Sequence, residues 1–217
     1  MGAETPARKP MNLPNRLTLT RIILIPFFVG LMLTENVTAD LRLIAPARWL
    51  AFVVFIAAAI TDYYDGAIAR RMNLTTNFGK LFDPLADKLL TMSAFVVFVE
   101  IHLPQGRPIF PAWAIILILG REFLVTGLRT LAVSSGRVIQ ADRWGKHKTA
   151  WQLSAIIAIT FFLCVRDTLM LAGVETRLLD LVLPWICGGL LAVVVFLTVV
   201  SGAIYLHQNR DLLRESV

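Results

Sequence analysis

The sequence predicts an all-α integral membrane protein with six transmembrane helices. Of its 217 residues, 57% are hydrophobic and 17% are charged, whereas a soluble domain usually contains about 45–50% apolar and about 25% charged residues. The apolar residues are concentrated in long stretches with little charge, and a stretch of about 20 such residues can cross a bilayer as a helix. The bulk of the chain is therefore expected to be surrounded by membrane lipids.

Six apolar segments account for most of the chain. They comprise residues 17–33, 47–69, 81–103, 112–133, 149–165 and 181–206. Helix-breaking Pro, Gly and Ser residues fall between them, at 104–108 and at 134–136. We assign residues 15–207 to one six-helix transmembrane domain, residues 1–14 to a polar N-terminal arm and residues 208–217 to a polar cytoplasmic tail.

Positive charges alternate along the connections and predict the orientation. One set carries a strong excess of Lys and Arg, at Arg8, Lys9, Arg16, Arg70, Arg71, Lys80, Arg137, Arg143, Lys146, Lys148, Arg210 and Arg214. The opposite set mixes Arg42, Arg48, Arg107, Arg166 and Arg177 with Glu35, Asp40, Asp167, Glu175 and Asp180. Because Lys and Arg mark the cytoplasmic side, both termini are predicted in the cytoplasm. The net charge of +6 then suits anionic lipid headgroups, and we expect no nucleic-acid partner.

Four aspartates interrupt the second and third apolar segments. They are Asp62, Asp65, Asp83 and Asp87. The spacing within each pair, three and four residues, puts both members on one helical face. Asp62 precedes Arg70 by eight residues and Asp87 follows Gly79 by eight residues, which is about 12 Å of helix in each case. A short turn between the two helices would make them antiparallel, so that the carboxylate pairs face each other.

Carboxylates at this depth need a compensating charge. A charge at the centre of a membrane costs roughly 2.5–3.5 kcal/mol on insertion scales. Hard oxygen ligands suit Mg²⁺ or Mn²⁺, and four carboxylates could hold two ions about 3.5–4 Å apart, the arrangement used for displacement at phosphorus. The residues alone leave three alternatives open: ion pairs with Arg or Lys, the ion pathway of a transporter, and a non-catalytic scaffold.

The stretch that contains these aspartates resembles a family signature. Residues 62–87 read Asp-x2-Asp-Gly-x2-Ala-Arg-x8-Gly-x3-Asp-x3-Asp, and every position of the signature of the CDP-alcohol phosphatidyltransferases is present. The resemblance implies the helical bundle of that family, CMP as the leaving group, a homodimer, and a location in the bacterial cytoplasmic membrane with the active site facing the cytoplasm.

The resemblance also implies roles for individual residues. Metal ions would be bound by Asp62, Asp65, Asp83 and Asp87, and Asp87 would in addition act as general base on the acceptor hydroxyl. The CDP-binding set would be Asp62, Gly66, Ala69, Arg70 and Gly79, with Arg70 near the diphosphate. The four carboxylates thus predict Mg²⁺ or Mn²⁺, two ions in all, as the cofactor.

Three further stretches bear on the acceptor alcohol. Residues 12–21, 120–129 and 145–149 resemble those family members that transfer the phosphatidyl group of CDP-diacylglycerol to glycerol 3-phosphate. Inositol phosphate, phosphatidylglycerol and serine are the alternative acceptors.

Four basic residues are predicted to bind the acceptor phosphate. Arg121 and Arg129 lie eight residues apart and close to one face of the fourth segment, and Lys146 and Lys148 open the fifth. A phosphate that faces a cytoplasmic cavity requires such cations. Two simpler explanations stand beside this prediction: Arg121 could form an ion pair with Glu122, and the two lysines could serve only the orientation of the chain.

Overall fold

A computed structural model describes residues 13–72, 77–134 and 143–210 of the chain. Within these ranges only the backbone is described for residues 13–18, 62–72, 77–87, 133–134, 143–144 and 146. Most of the predicted N-terminal arm (1–14) and of the predicted tail (208–217) lies outside the described residues. The described chain forms six α-helices: α1 Leu13–Met32, α2 Leu41–Met72, α3 Asn77–Glu100, α4 Ala112–Ser134, α5 Arg143–Leu171 and α6 Arg177–Gln208.

Each predicted apolar segment is confirmed as a helix, except that the third helix ends at Glu100 and not at residue 103. Several helices are longer than the apolar run. Helix α2 begins at Leu41, six residues before the predicted segment, and α5 continues six residues beyond residue 165, to Leu171. A short 3₁₀ helix, Leu33–Asn36, links α1 to α2. The added turns contain charged residues, which apolar periodicity does not detect.

Four described segments are long and apolar enough to cross a membrane: Leu19–Asn36, Leu41–Thr61, His147–Leu171 and Arg177–Gln208. Large apolar side chains also cover the outside of the bundle, for example Trp185 and Leu178, which are 83% and 77% exposed. Such a surface is suited to acyl chains and not to water. The chain is therefore an integral membrane protein.

Helix α1 packs against both α2 and α3, while α5 packs against α2 and α6. Aromatic side chains fill the centre: the rings of Phe28 and Phe55 lie 5.4 Å apart, and Phe110 meets Phe98 at 5.5 Å with its ring edge-on. In lipid, close packing stabilises helix pairs more than the transfer of apolar groups does. Fully buried alanines, such as Ala51 and Ala155, allow the backbones to approach closely.

Two of the connections between helices contain a glycine with positive φ. Gly173 (φ 72°) follows α5, where Val174 N donates to Leu169 O at 2.9 Å and Gly173 N donates to Met170 O at 3.1 Å. These two bonds form a Schellman motif, in which glycine takes the left-handed conformation without strain. Gly106 (φ 74°) turns the chain between α3 and α4.

The end of the bundle at which α2 begins is held together by ion pairs, which we call the Arg48 network (Glu35, Arg48, Arg166, Asp167 and Asp180). Arg48 is buried and donates Nη2 to Glu35 Oε2 at 2.5 Å and Nη1 to Asp167 Oδ2. Arg166 donates Nε to Asp180 Oδ1 at 2.6 Å and also pairs with Asp167. The network joins the 3₁₀ helix, α2, α5 and α6. The sequence assigned these charges only to orientation, whereas the structure pairs them.

Candidate active site

The backbone places the four predicted metal ligands on the two helices that flank residues 73–76. Asp62 lies ten residues before Met72, the end of α2, and Asp87 lies ten residues after Asn77, the start of α3. Both are therefore about 15 Å from the adjoining helix ends. Asp65 and Asp83, at seven and six residues from these ends, match in the same way.

This matched register fits a metal site shared by α2 and α3. The structure describes only the backbone of the four aspartates and of Gly66, Ala69, Arg70 and Gly79, which belong to the same two helices. Among the described side chains, no group of three His, Cys, Asp or Glu residues could hold a metal ion. The metal prediction consequently rests on the four aspartates.

A group of charged side chains, the Glu122 cluster (Lys88, Arg121, Glu122 and Lys148), joins α3, α4 and α5. Glu122 of α4 pairs through Oε1 with Arg121 Nη1 at 3.3 Å and with Lys148 Nζ of α5. Its other oxygen lies 3.8 Å from Lys88 Nζ of α3. Lys88 also donates to Thr126 Oγ1. The carboxylate of Glu122 thus pairs with cations from three helices, α3, α4 and α5.

A small polar cavity of about 60 Å³ adjoins the Glu122 cluster. Its polar lining comes from Lys88, Thr91, Glu122, Thr149 and Gln152. A cavity of this size and polarity holds several waters. Lys88 directly follows Asp87 in α3, so the cavity and this predicted metal ligand lie at nearly the same level of the helix. The cations that surround this cavity are suited to binding an anion.

The structure brings together two of the four residues predicted to bind the acceptor phosphate. Arg121 and Lys148 meet at Glu122, and Lys148 is buried, which a purely topological charge would not be. Arg129 is exposed on α4, eight residues or about 12 Å along the helix from Arg121. The side chain of Lys146 lies outside the described residues. The expected pair between Arg121 and Glu122 is present, and Glu122 also pairs with Lys88 and Lys148.

Sequence reasoning missed Lys88. The available signal was a lysine inside an apolar helix, since an ionisable group at such a position is a functional candidate by default. It was overlooked because the adjacent Asp87 already belonged to the signature.

Glu122→Gln is expected to lower the free energy of unfolding by about 3 kcal/mol, because it leaves the buried Lys148 and the partly buried Arg121 without their counter-charge. The thermal unfolding midpoint in mild detergent measures this loss. Glu175→Gln is the matched control, since Glu175 is exposed in the connection before α6 and its charge should contribute little. Equal midpoints for the two variants would contradict a stabilising role for the Glu122 cluster.

These features coincide with a match to a protein family. The model of the CDP-alcohol phosphatidyltransferase family matches residues 11–204, which include all six helices almost completely. The chain belongs to this family.

Two curated bacterial relatives are similar along most of their length. A CDP-diacylglycerol–glycerol-3-phosphate 3-phosphatidyltransferase from Bacillus subtilis is 41% identical over 209 residues, covering 94% of this chain and 98% of that protein. An enzyme of the same name from Rickettsia bellii is 36% identical, covering 89% and 93%. A CMP-forming cardiolipin synthase from Oryza sativa is 34% identical, covering 76% of this chain and 49% of that protein.

Proposed function

We propose that this protein transfers the phosphatidyl group of CDP-diacylglycerol to glycerol 3-phosphate, giving phosphatidylglycerophosphate and CMP. The observation that carries this proposal is the convergence of Lys88, Arg121 and Lys148 on Glu122, with Lys88 following Asp87 in α3. An acceptor that bears a phosphate requires such cations, whereas serine does not. The names of the relatives from Bacillus subtilis and Rickettsia bellii support the same reaction.

In the proposed reaction, Asp87 takes the proton from the acceptor hydroxyl. The hydroxyl oxygen forms a bond to the phosphatidyl phosphorus, and the bond from that phosphorus to the CMP oxygen breaks, so CMP leaves with the electron pair. Arg121 and Lys148, with Arg129 and Lys146, hold the phosphate of the acceptor and orient its hydroxyl. Positioning of this kind converts a bimolecular encounter into an effectively intramolecular step. Direct displacement requires no covalent enzyme intermediate.

Two divalent ions, Mg²⁺ or Mn²⁺, are proposed at Asp62, Asp65, Asp83 and Asp87. The family generally depends on divalent metals. When bound, the ions supply positive charge that offsets the charge developing on the diphosphate. Asp62, Gly66, Ala69, Arg70 and Gly79 would form the CDP site; the two glycines and the alanine leave room for a diphosphate to approach the backbone.

We propose the membrane topology from the distribution of Lys and Arg along the chain and from the family to which the chain belongs. All six helices would span the bacterial cytoplasmic membrane, with both termini and the active site on the cytoplasmic side. This places the Glu122 cluster where a water-soluble acceptor can reach it, and the apolar outer surface against membrane lipids. We further propose that the protein is a homodimer.

The direct test is an assay of purified protein with CDP-diacylglycerol, Mg²⁺ or Mn²⁺, and one acceptor at a time. We expect CMP release and phosphatidylglycerophosphate with glycerol 3-phosphate, and no product with inositol phosphate or serine. Cardiolipin formed from phosphatidylglycerol, the product in the name of the rice relative, would keep the family and overturn the acceptor. Ion flux in liposomes without any lipid product would instead identify a transporter.

A further inference from the structure

One face of α6 is polar and buried within an otherwise apolar helix. Thr198, Ser201, Gly202 and Tyr205 are all buried, and their spacing of three, four and seven residues puts them on a single face. Phe196 and Val199, on the outer side of the helix, are exposed. Helix α6 packs against α4. The polar face is therefore directed into the protein, although the helix contributes nothing to the family signature.

The side chain of Arg121 runs from α4 across this face. A methyl group added at Gly202 would lie 3.0 Å from Arg121 Cγ and 3.7 Å from its Nε, so the glycine provides the space that the arginine occupies. At its other end, Arg121 Nη1 pairs with Glu122. Arg121 consequently links the Glu122 cluster to α6.

Two buried polar atoms lack a partner at this place. Among the described residues, Arg121 Nε and Tyr205 Oη are buried and make no hydrogen bond. The other hydroxyls on this face are paired: Thr198 Oγ1 donates to Val194 O at 2.7 Å, and Ser201 Oγ donates to Thr198 O at 3.2 Å. Buried polar groups without partners are rare in proteins, and each one calls for an explanation.

We propose that Tyr205 and Arg121 donate hydrogen bonds to one phosphate oxygen of the acceptor. Helix α6 would then form the acceptor site together with α4 and α5. Arg121 Nε can only donate and the tyrosine hydroxyl can donate, so the two atoms suit an anionic oxygen. Tyr205 is 3% exposed, so bulk water does not satisfy its hydroxyl. This inference rests on the proposed function, because it assigns a residue to the acceptor phosphate.

Tyr205→Phe tests the proposal, since it removes only the hydroxyl. A hydrogen bond to a charged group corresponds to a loss of about tenfold in affinity, so KM for glycerol 3-phosphate should rise about tenfold. The kcat and the KM for CDP-diacylglycerol should stay unchanged. Thr198→Val is the matched control, because it removes a hydroxyl from the same face that is already bonded within α6, and it should leave KM for the acceptor unchanged.

A second readout does not depend on turnover. Glycerol 3-phosphate, or inorganic phosphate as a probe, should raise the thermal unfolding midpoint of the wild-type protein, by mass action, and raise that of Tyr205→Phe less. Gly202→Ala is a second variant, in which alanine favours the helix. It should also raise KM for the acceptor by displacing Arg121.

The outcomes separate the two proposals. An unchanged KM for glycerol 3-phosphate in Tyr205→Phe would overturn the role of Tyr205, and so would a rise in KM confined to CDP-diacylglycerol, which would assign the hydroxyl to the donor's diphosphate. A wild-type protein that yields no phosphatidylglycerophosphate would overturn the proposed function alone, while the loss of phosphate stabilisation in Tyr205→Phe would still support the anion site.

Discussion

Asp87→Asn is expected to lower the rate of CMP release by about 10³-fold, within the range attributed to general acid–base catalysis. The amide keeps the size and shape of the side chain but accepts no proton and binds a divalent cation weakly, so both proposed roles of Asp87 are lost together. Because the substitution removes a charge from the membrane interior, the protein should remain folded. Single-turnover CMP release, with detergent-solubilised protein of verified folding, measures the effect.

Asp40→Asn is the control for this substitution. Asp40 is exposed before α2 and its Oδ1 accepts a bond from Arg42 N at 2.9 Å, which asparagine can replace as a helix cap. Its activity should match that of the wild-type protein. An Asp87→Asn variant with unchanged activity would rule out catalysis at the signature and favour a scaffold.

Arg48→Met is expected to have the largest effect on stability, a loss of about 3–5 kcal/mol in the free energy of unfolding. Arg48 is buried and joins Glu35 to Asp167, which is itself 1% exposed. Methionine preserves much of the apolar volume but leaves the buried carboxylate with only the more distant Arg166, at 3.7 Å. The thermal midpoint in detergent, or the denaturant midpoint, should fall accordingly.

Arg42→Met separates this effect from a general loss of positive charge. Arg42 lies on the same helix, α2, but is exposed, and exposed charges contribute about 0–1 kcal/mol. The activity of the folded fraction should be unchanged in both variants, because the Arg48 network lies at the end of the bundle remote from the aspartates. An Arg48→Met protein as stable as the wild type would show that the network contributes little to folding.

Local features of the sequence were sufficient to predict the helices. Hydrophobic runs of about 20 residues identify membrane helices because the bilayer requires that length, and each predicted run became a helix. The spacing of Asp62, Asp65, Asp83 and Asp87 predicted two pairs on facing helices, since helical periodicity is fixed by the backbone. Helix ends were predicted less well: α2 and α5 continue into turns whose charged residues are paired in the Arg48 network.

The partners of the polar residues were decided only by the tertiary structure. Arg48 and Asp167 lie 119 residues apart in the chain, and Lys88, Glu122 and Lys148 come from three helices. In a membrane, a polar side chain must find a partner inside the bundle, but the sequence does not specify which helices will be neighbours. Tyr205 illustrates the difference. Its place in an apolar helix follows from the sequence, whereas its burial beside Arg121 depends on how α6 packs across α4 at Gly202.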